Sequence, residues 1–286
     1  MSTIINTWWF WVIVYLISAI LFAQTFKVAN KNMKNASALT VLLEIFTGIF
    51  SLCMIPIFET KFEVGGNVLW ILLIVVGIYA ITDRLNIEAR YGLETSTFSM
   101  LKHLSTVFMI IFGFVFLKEP ILLNKIIGAI IILSANFSLA YNKGKLQINK
   151  YFLMSVCANF LFAVAMLINV GLSNNFNLAF YTFITVMGPA LLISIFSRLT
   201  TKKLIDEFKL YDKKYFLVAA AAWCVMLNSS IRAYQLGSVI VVASLFSLTA
   251  ILNALMEFVI FKNKKNFLKK IIVAILIVLG AILVNL

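Results

Sequence analysis

The stretch "YGLETSTFSMLKHLSTVFMIIFGFVFLKEPILLNKIIGAIIILSANFSL" (residues 91–139) can be laid over "YQLGSVIVVASLFSLTAILNALMEFVIFKNKKNFLKKIIVAILIVLGAIL" (residues 234–283). Tyr91 then meets Tyr234 and Leu93 meets Leu236, an offset of 143 residues, half of the 286-residue chain. Each copy reads Tyr-x-Leu, small polar residues, a long apolar run, a lysine-bearing turn and a last apolar run. The runs are about 20 residues long and do not alternate, which is what a helix needs to cross a ~30 Å hydrocarbon core.

The rest of the chain has the same character. It is 63% hydrophobic and 12% charged, with a mean hydropathy of +1.03. A soluble domain holds about 25% charged residues, so the chain reads as an all-α integral membrane protein. Ten spans follow from the apolar runs, roughly 7–26, 37–58, 67–91, 95–117, 122–141, 150–172, 178–198, 214–234, 238–261 and 268–286. In the third span "WILLIVVGIYA" gives way to the charged "ITDRLNIEARYGLE", read as the same helix continuing into a polar environment. Trp8, Trp9 and Trp11 read as an aromatic anchor at the membrane interface. The first run is no signal peptide: it is long, and no Lys or Arg precedes Trp8.

A net charge of +13 would point to nucleic acid in a soluble protein. Here the lysines cluster between spans, where they set orientation. Loops after odd-numbered spans hold 19 Lys and Arg, against 4 on the other side. The positive-inside rule places the odd-numbered loops in the cytoplasm and both termini outside, in a multi-pass protein of the cytoplasmic membrane. Five spans per copy is an odd number, so the second copy enters the membrane upside down. The expected organisation is ten transmembrane helices as two inverted five-helix repeats, residues 1–143 and 144–286. Inverted repeats recur in transporters, with the substrate near the midplane at the repeat interface.

The fourth-span ending "FGFVFLKE" (residues 112–119), followed by "IIGAIIILSA" (residues 126–135), resembles the EamA-type members of the drug/metabolite transporter superfamily. The shared pattern is a bulky apolar helix end, Leu-x-Glu, a short turn and a glycine-bearing fifth helix. In the second copy "FKNKK" carries no acid where the first has Glu119. The resemblance implies a 5+5 inverted repeat, a central cavity, and export or exchange of small metabolites or drugs.

Charges at membrane depth are costly, about 2.5–3.5 kcal/mol at a helix centre on insertion scales. Glu44 lies seven residues into the second span from the cytoplasmic side, and Lys102 and His103 seven or eight into the fourth. Asp83 and Arg84 lie about as far from the cytoplasmic end of the third. At ~1.5 Å per residue these five share a depth of roughly 10–12 Å, as the walls of one polar pocket would. Ser99, His103 and Thr106 fall on one helical stripe, read as facing the cavity, and the imidazole is a candidate proton carrier. Structural readings stand beside these: Arg84 as a partner of Asp83 or Glu88, Lys102 snorkelling to headgroups, and His103 as an interhelical hydrogen-bonder. The second half supplies neutral polar groups, Asn159, Asn228, Ser229, Ser230 and Asn253, with Arg232 towards the outer end of the eighth span. Gly188-Pro189 in the seventh span is a bend signal.

Glu44, Asp83, Arg84, Ser99, Lys102, His103, Asn228 and Arg232 are therefore the candidate substrate-binding or coupling residues. The expected partners are a small-molecule substrate and the lipid bilayer, with protons as candidate coupling ion, no nucleic acid and no required oligomer. No nucleotide-binding glycine loop, metal-ligand cluster or triad accompanies the single histidine, so neither an enzyme nor a cofactor is expected. The expected activity is secondary transport by alternating access, the export of a small polar or zwitterionic metabolite such as an amino acid or related compound across the cytoplasmic membrane. A flippase for a lipid or lipid-linked sugar, or a multidrug/cation efflux pump, is the alternative.

Overall fold

The structure, a computed structural model, describes residues 5–29, 32–63, 65–92, 101–102, 104–118, 120–140, 150–261, 272–273, 275–276, 278–280 and 282–283. Its named helices are α1 (Trp8–Ala29), α2 (Ala36–Cys53), α3 (Gly66–Gly92), α4 (Leu104–Val115), α5 (Leu123–Ala140) and α6 (Lys150–Leu172). They continue with α7 (Leu178–Phe196), α8 (Thr201–Phe208), α9 (Lys213–Leu236), α10 (Val239–Phe246) and α11 (Leu248–Phe261). Among the described residues the extended pairing is a single isolated bridge, Phe62 with Phe176. Among the described residues six helices, α1, α2, α3, α6, α7 and α9, are long and apolar enough to cross a membrane, and Leu123–Ala135 in α5 forms a shorter apolar helix.

These segments are helical because a backbone in hydrocarbon must satisfy every N–H and C=O within itself. Polar side chains close their ends. Asn35, Asn177, Thr200, Asp212 and Ser238 each accept from a backbone N–H of the helix that follows. The third span runs unbroken through its charged end to Gly92. The ninth is tightened where Ser247 N–H bonds to Ser244 C=O at 3.2 Å, between α10 and α11. The short helix α8 has no counterpart among the expected spans. It turns Leu204 and Phe208 towards Phe46, Tyr211 and Phe216, and leaves Lys202, Lys203 and Lys209 exposed.

Helix pairs build the bundle. The principal neighbour of α1 is α9, that of α3 is α6, and that of α2 is α7; α2 also meets α9, and α3 meets α7. The crossing of α3 and α7 is close because Gly188 has no side chain: a Cβ there would lie 2.5 Å from Val76 Cγ1. The helix continues through Pro189, so the expected bend signal serves here as a contact point. A second close approach sets Gly280 against the carbonyl oxygen of Gly128 on α5, 2.8 Å from an added Cβ. Of the three tryptophans expected at the interface, Trp9 is exposed, whereas Trp11 is buried and donates its indole N–H to Ile5 C=O at 2.7 Å.

Loops clasp each other at both ends of the bundle. At one end Glu63 N–H donates to Asn175 C=O and Asn177 N–H to Lys61 C=O, each at 2.8 Å. At the other, Lys34 N–H donates to the Glu207 carboxylate at 2.8 Å, and Asp212 N–H to Ala29 C=O at 3.4 Å.

Candidate functional site

Glu44 on α2 and Asp83 on α3 face one another, close enough for their carboxyl groups to share a hydrogen bond. Glu44 is 1% exposed, and its Oε2 has no hydrogen-bond partner among the described residues. A carboxyl–carboxyl hydrogen bond needs one proton between the two groups, because two carboxylates only repel. Lys102 lies near enough to act electrostatically on Asp83. The depth match read from the sequence thus brings together Glu44, Asp83 and Lys102, from three different spans. Thr82, beside Asp83, is also fully buried, and its hydroxyl has no partner among the described residues.

Two amide networks lie beyond this acid pair. In the first, Tyr181 of α7 donates its hydroxyl to Asn169 Oδ1 on α6, and Asn169 Nδ2 donates to the Tyr79 hydroxyl on α3. Tyr79 is one helical turn from Asp83 and within its electrostatic reach. In the second, Thr182 donates to Asn228 Oδ1 at 3.0 Å, while Asn228 Nδ2 donates to Cys224 C=O at 3.0 Å and Ser51 Oγ at 3.4 Å. Ser51 donates onward to Ala179 C=O at 2.7 Å, so this network joins α2, α7 and α9. Among the described residues no group of three His, Cys, Asp or Glu is placed to hold a metal ion.

The model of the EamA-like transporter family matches residues 9–140. Residues 9–140 are similar to the EamA-like transporter family. That EamA-like segment contains Glu44, Asp83 and Lys102, and the family is one of membrane transporters in the drug/metabolite transporter superfamily. A solved crystal structure of a protein superposes with a TM-score of 0.73 at 12% identity, covering 96% of this chain and 98% of its own, which shows a shared fold. No curated protein matches the chain.

The remaining sequence candidates scatter. Arg84 of the EamA-like segment is exposed and pairs with Glu88 at 2.9 Å and with Ser197 Oγ at 3.0 Å, the structural role weighed beside the functional one. Asn228 is fully buried within the second network. Arg232 is partly buried and donates to Gln235 Oε1 at 3.1 Å; Gln235 in turn donates to Ser173 Oγ at 2.7 Å. Ser99, His103 and Glu119 lie outside the described residues. Asn159 turns back onto Ser155 of its own helix, and Ser229 and Ser230 bond carbonyls of theirs, the ordinary fate of a short polar side chain in an apolar helix. Tyr79, Asn169 and Tyr181 escaped the sequence reading because each is a neutral residue in an apolar run. The one available signal was Asn169 itself, an amide within "AMLINVGL".

Proposed function

We propose that the chain is a secondary transporter that exports a small polar or zwitterionic metabolite, such as an amino acid, by alternating access between two inverted five-helix halves, residues 1–143 and 144–286. One observation carries the substrate reading: the contact of Glu44 with Asp83, with Glu44 Oε2 left without a partner among the described residues. A buried carboxyl oxygen with no donor is destabilising unless something else supplies one. An ammonium group or a proton supplies it, and exchange of the two at the same acids is a simple way to couple substrate movement to protons. The pairing of helices supports the two-halves reading. Span one lies against span eight as span six lies against span three, which is the relation a shift of five spans produces. The loop clasps at the two ends of the bundle obey the same relation.

The test is transport by the full-length protein in proteoliposomes, with labelled neutral amino acids and an imposed pH gradient. Wild type moves at least one of them, and Glu44→Gln and His103→Ala abolish the dependence on the gradient. Full gradient-driven transport in both variants defeats the coupling assignment. Lipid scrambling without amino-acid movement replaces the substrate reading with a flippase.

A further inference from the structure

The network around Asn169 has a direction. Tyr181 is fully buried, and its hydroxyl pairs with Asn169. A phenol carries one hydrogen, and an amide has one accepting and one donating end. Since Tyr181 gives its hydrogen to Asn169 Oδ1, Asn169 has only Nδ2 to offer to Tyr79. Tyr79 therefore accepts in that contact and keeps its own hydrogen to give elsewhere. It is only partly buried, and it sits one turn from Asp83 on the same helix. Just past the end of α6, Ser173 follows Asn169 by four residues and receives Gln235, which holds the Arg232 guanidinium. Among the described residues no carboxylate pairs with Arg232. Asn169 thus leaves a free phenol hydrogen on α3, one turn from the acid of that helix.

We infer that Tyr79 is a substrate-binding donor, kept in that role by Asn169 and Tyr181 as positioning residues, and that it selects a substrate bearing a carboxylate or carbonyl oxygen close to its ammonium group. This rests on the transporter reading above. The acids alone recognise any amine; the phenol separates an amino acid from the amine left when its carboxylate is removed. The substrate supplies the acceptor, because among the described residues the Tyr79 hydroxyl accepts from Asn169 and donates to no protein group.

The experiment measures thermal stabilisation of the purified full-length protein by neutral L-amino acids, each beside its decarboxylated amine. A ligand that binds the folded state raises the melting temperature with its concentration, so half-effect concentrations can be compared. Wild type prefers at least one amino acid over its amine by about tenfold or more, the scale of one hydrogen bond to a charged group. Tyr79→Phe loses that preference. Tyr181→Phe also loses it although Tyr79 is intact, because Asn169 Oδ1, without its donor, captures the Tyr79 hydrogen. Asn169→Asp does the same by accepting from both phenols, and it decides the matter if Tyr181→Phe does not fold. Retention of the preference in Tyr79→Phe, or in the folded positioning variants, overturns the inference. Equal stabilisation of wild type by acid and amine overturns it too, while leaving an amine-recognising transporter standing. Stabilisation by neither class overturns the zwitterion reading and this inference together.

Discussion

Asn177 donates its side-chain N–H to the carbonyl oxygen of Ile55, 122 positions earlier in the chain, at 3.0 Å. The same amide reaches the carbonyls of Phe58 and Glu59 at 3.0 and 3.2 Å, and its oxygen caps α7 by accepting from Ala179 and Phe180 N–H. One side chain therefore starts a helix and holds the loop that faces it. Asn177→Ala should lower stability by about 2 kcal/mol, the sum of a lost cap and orphaned carbonyls. Asn177→Asp keeps an acceptor for the cap but has no N–H for the clasp, so it should recover only part of the loss. Thermal unfolding in detergent, followed by tryptophan fluorescence, checks both.

Gly188→Ala should destabilise by about 1–3 kcal/mol, the range for overpacking a filled contact. Val76 is β-branched and stiff, so it cannot swing away from the added methyl. Val76→Ala in the same chain should restore most of the loss. A double-mutant cycle on melting midpoints tests this, and additive effects would remove the direct contact from the explanation.

Glu44→Gln should separate stability from function. The glutamine amide donates to Asp83 without needing a proton, so stability should hold or rise by roughly 1 kcal/mol. Transport should fall, as expected when a buried polar group is retained for function at the expense of stability. A melting curve and a proteoliposome assay on the same preparation read the two quantities.

At the clasp between Lys34 and Glu207, Tyr211 donates its hydroxyl to the Glu207 carboxylate at 2.8 Å. Burial pushes the Tyr211 phenol well above its ordinary value of 10.0, and Glu207 pushes it further, by accepting its hydrogen and by its charge. The folded state thus holds that proton more tightly than the unfolded state. The contribution is fully present below pH 10 and is lost as pH rises above it, where the unfolded chain alone ionises. Between pH 10 and 11, wild type should lose more stability than Tyr211→Phe in matched unfolding curves. Equal losses would show that the phenol hydrogen is not held by Glu207.

Much of this architecture was readable because a membrane imposes few alternatives. Runs of about 20 apolar residues had to be helices, and the lone acids Glu44 and Asp83 stood out because charge at that depth needs a partner. Counting residues from the span ends set Glu44, Asp83 and Lys102 level, and the structure joins them. It could not show that Arg84 turns instead to Glu88 and Ser197, because facing depends on helix rotation rather than depth. Helix α8 was hidden by its lysines, which read as a loop although Leu204 and Phe208 are one turn apart. Tyr79 and Asn169 come from α3 and α6, and hydrogen-bond direction is invisible in a linear chain.

Gly280 follows Gly128 by 152 positions, and each is buried against the other. During synthesis, then, the glycine face of α5 stays uncovered while the whole second half of the protein is made. The packing of α5 is complete only when residues around Gly280 have left the ribosome. Until that moment the nascent chain presents Gly128, beside Ile131 and Ile132, to its surroundings and to whatever machinery attends insertion.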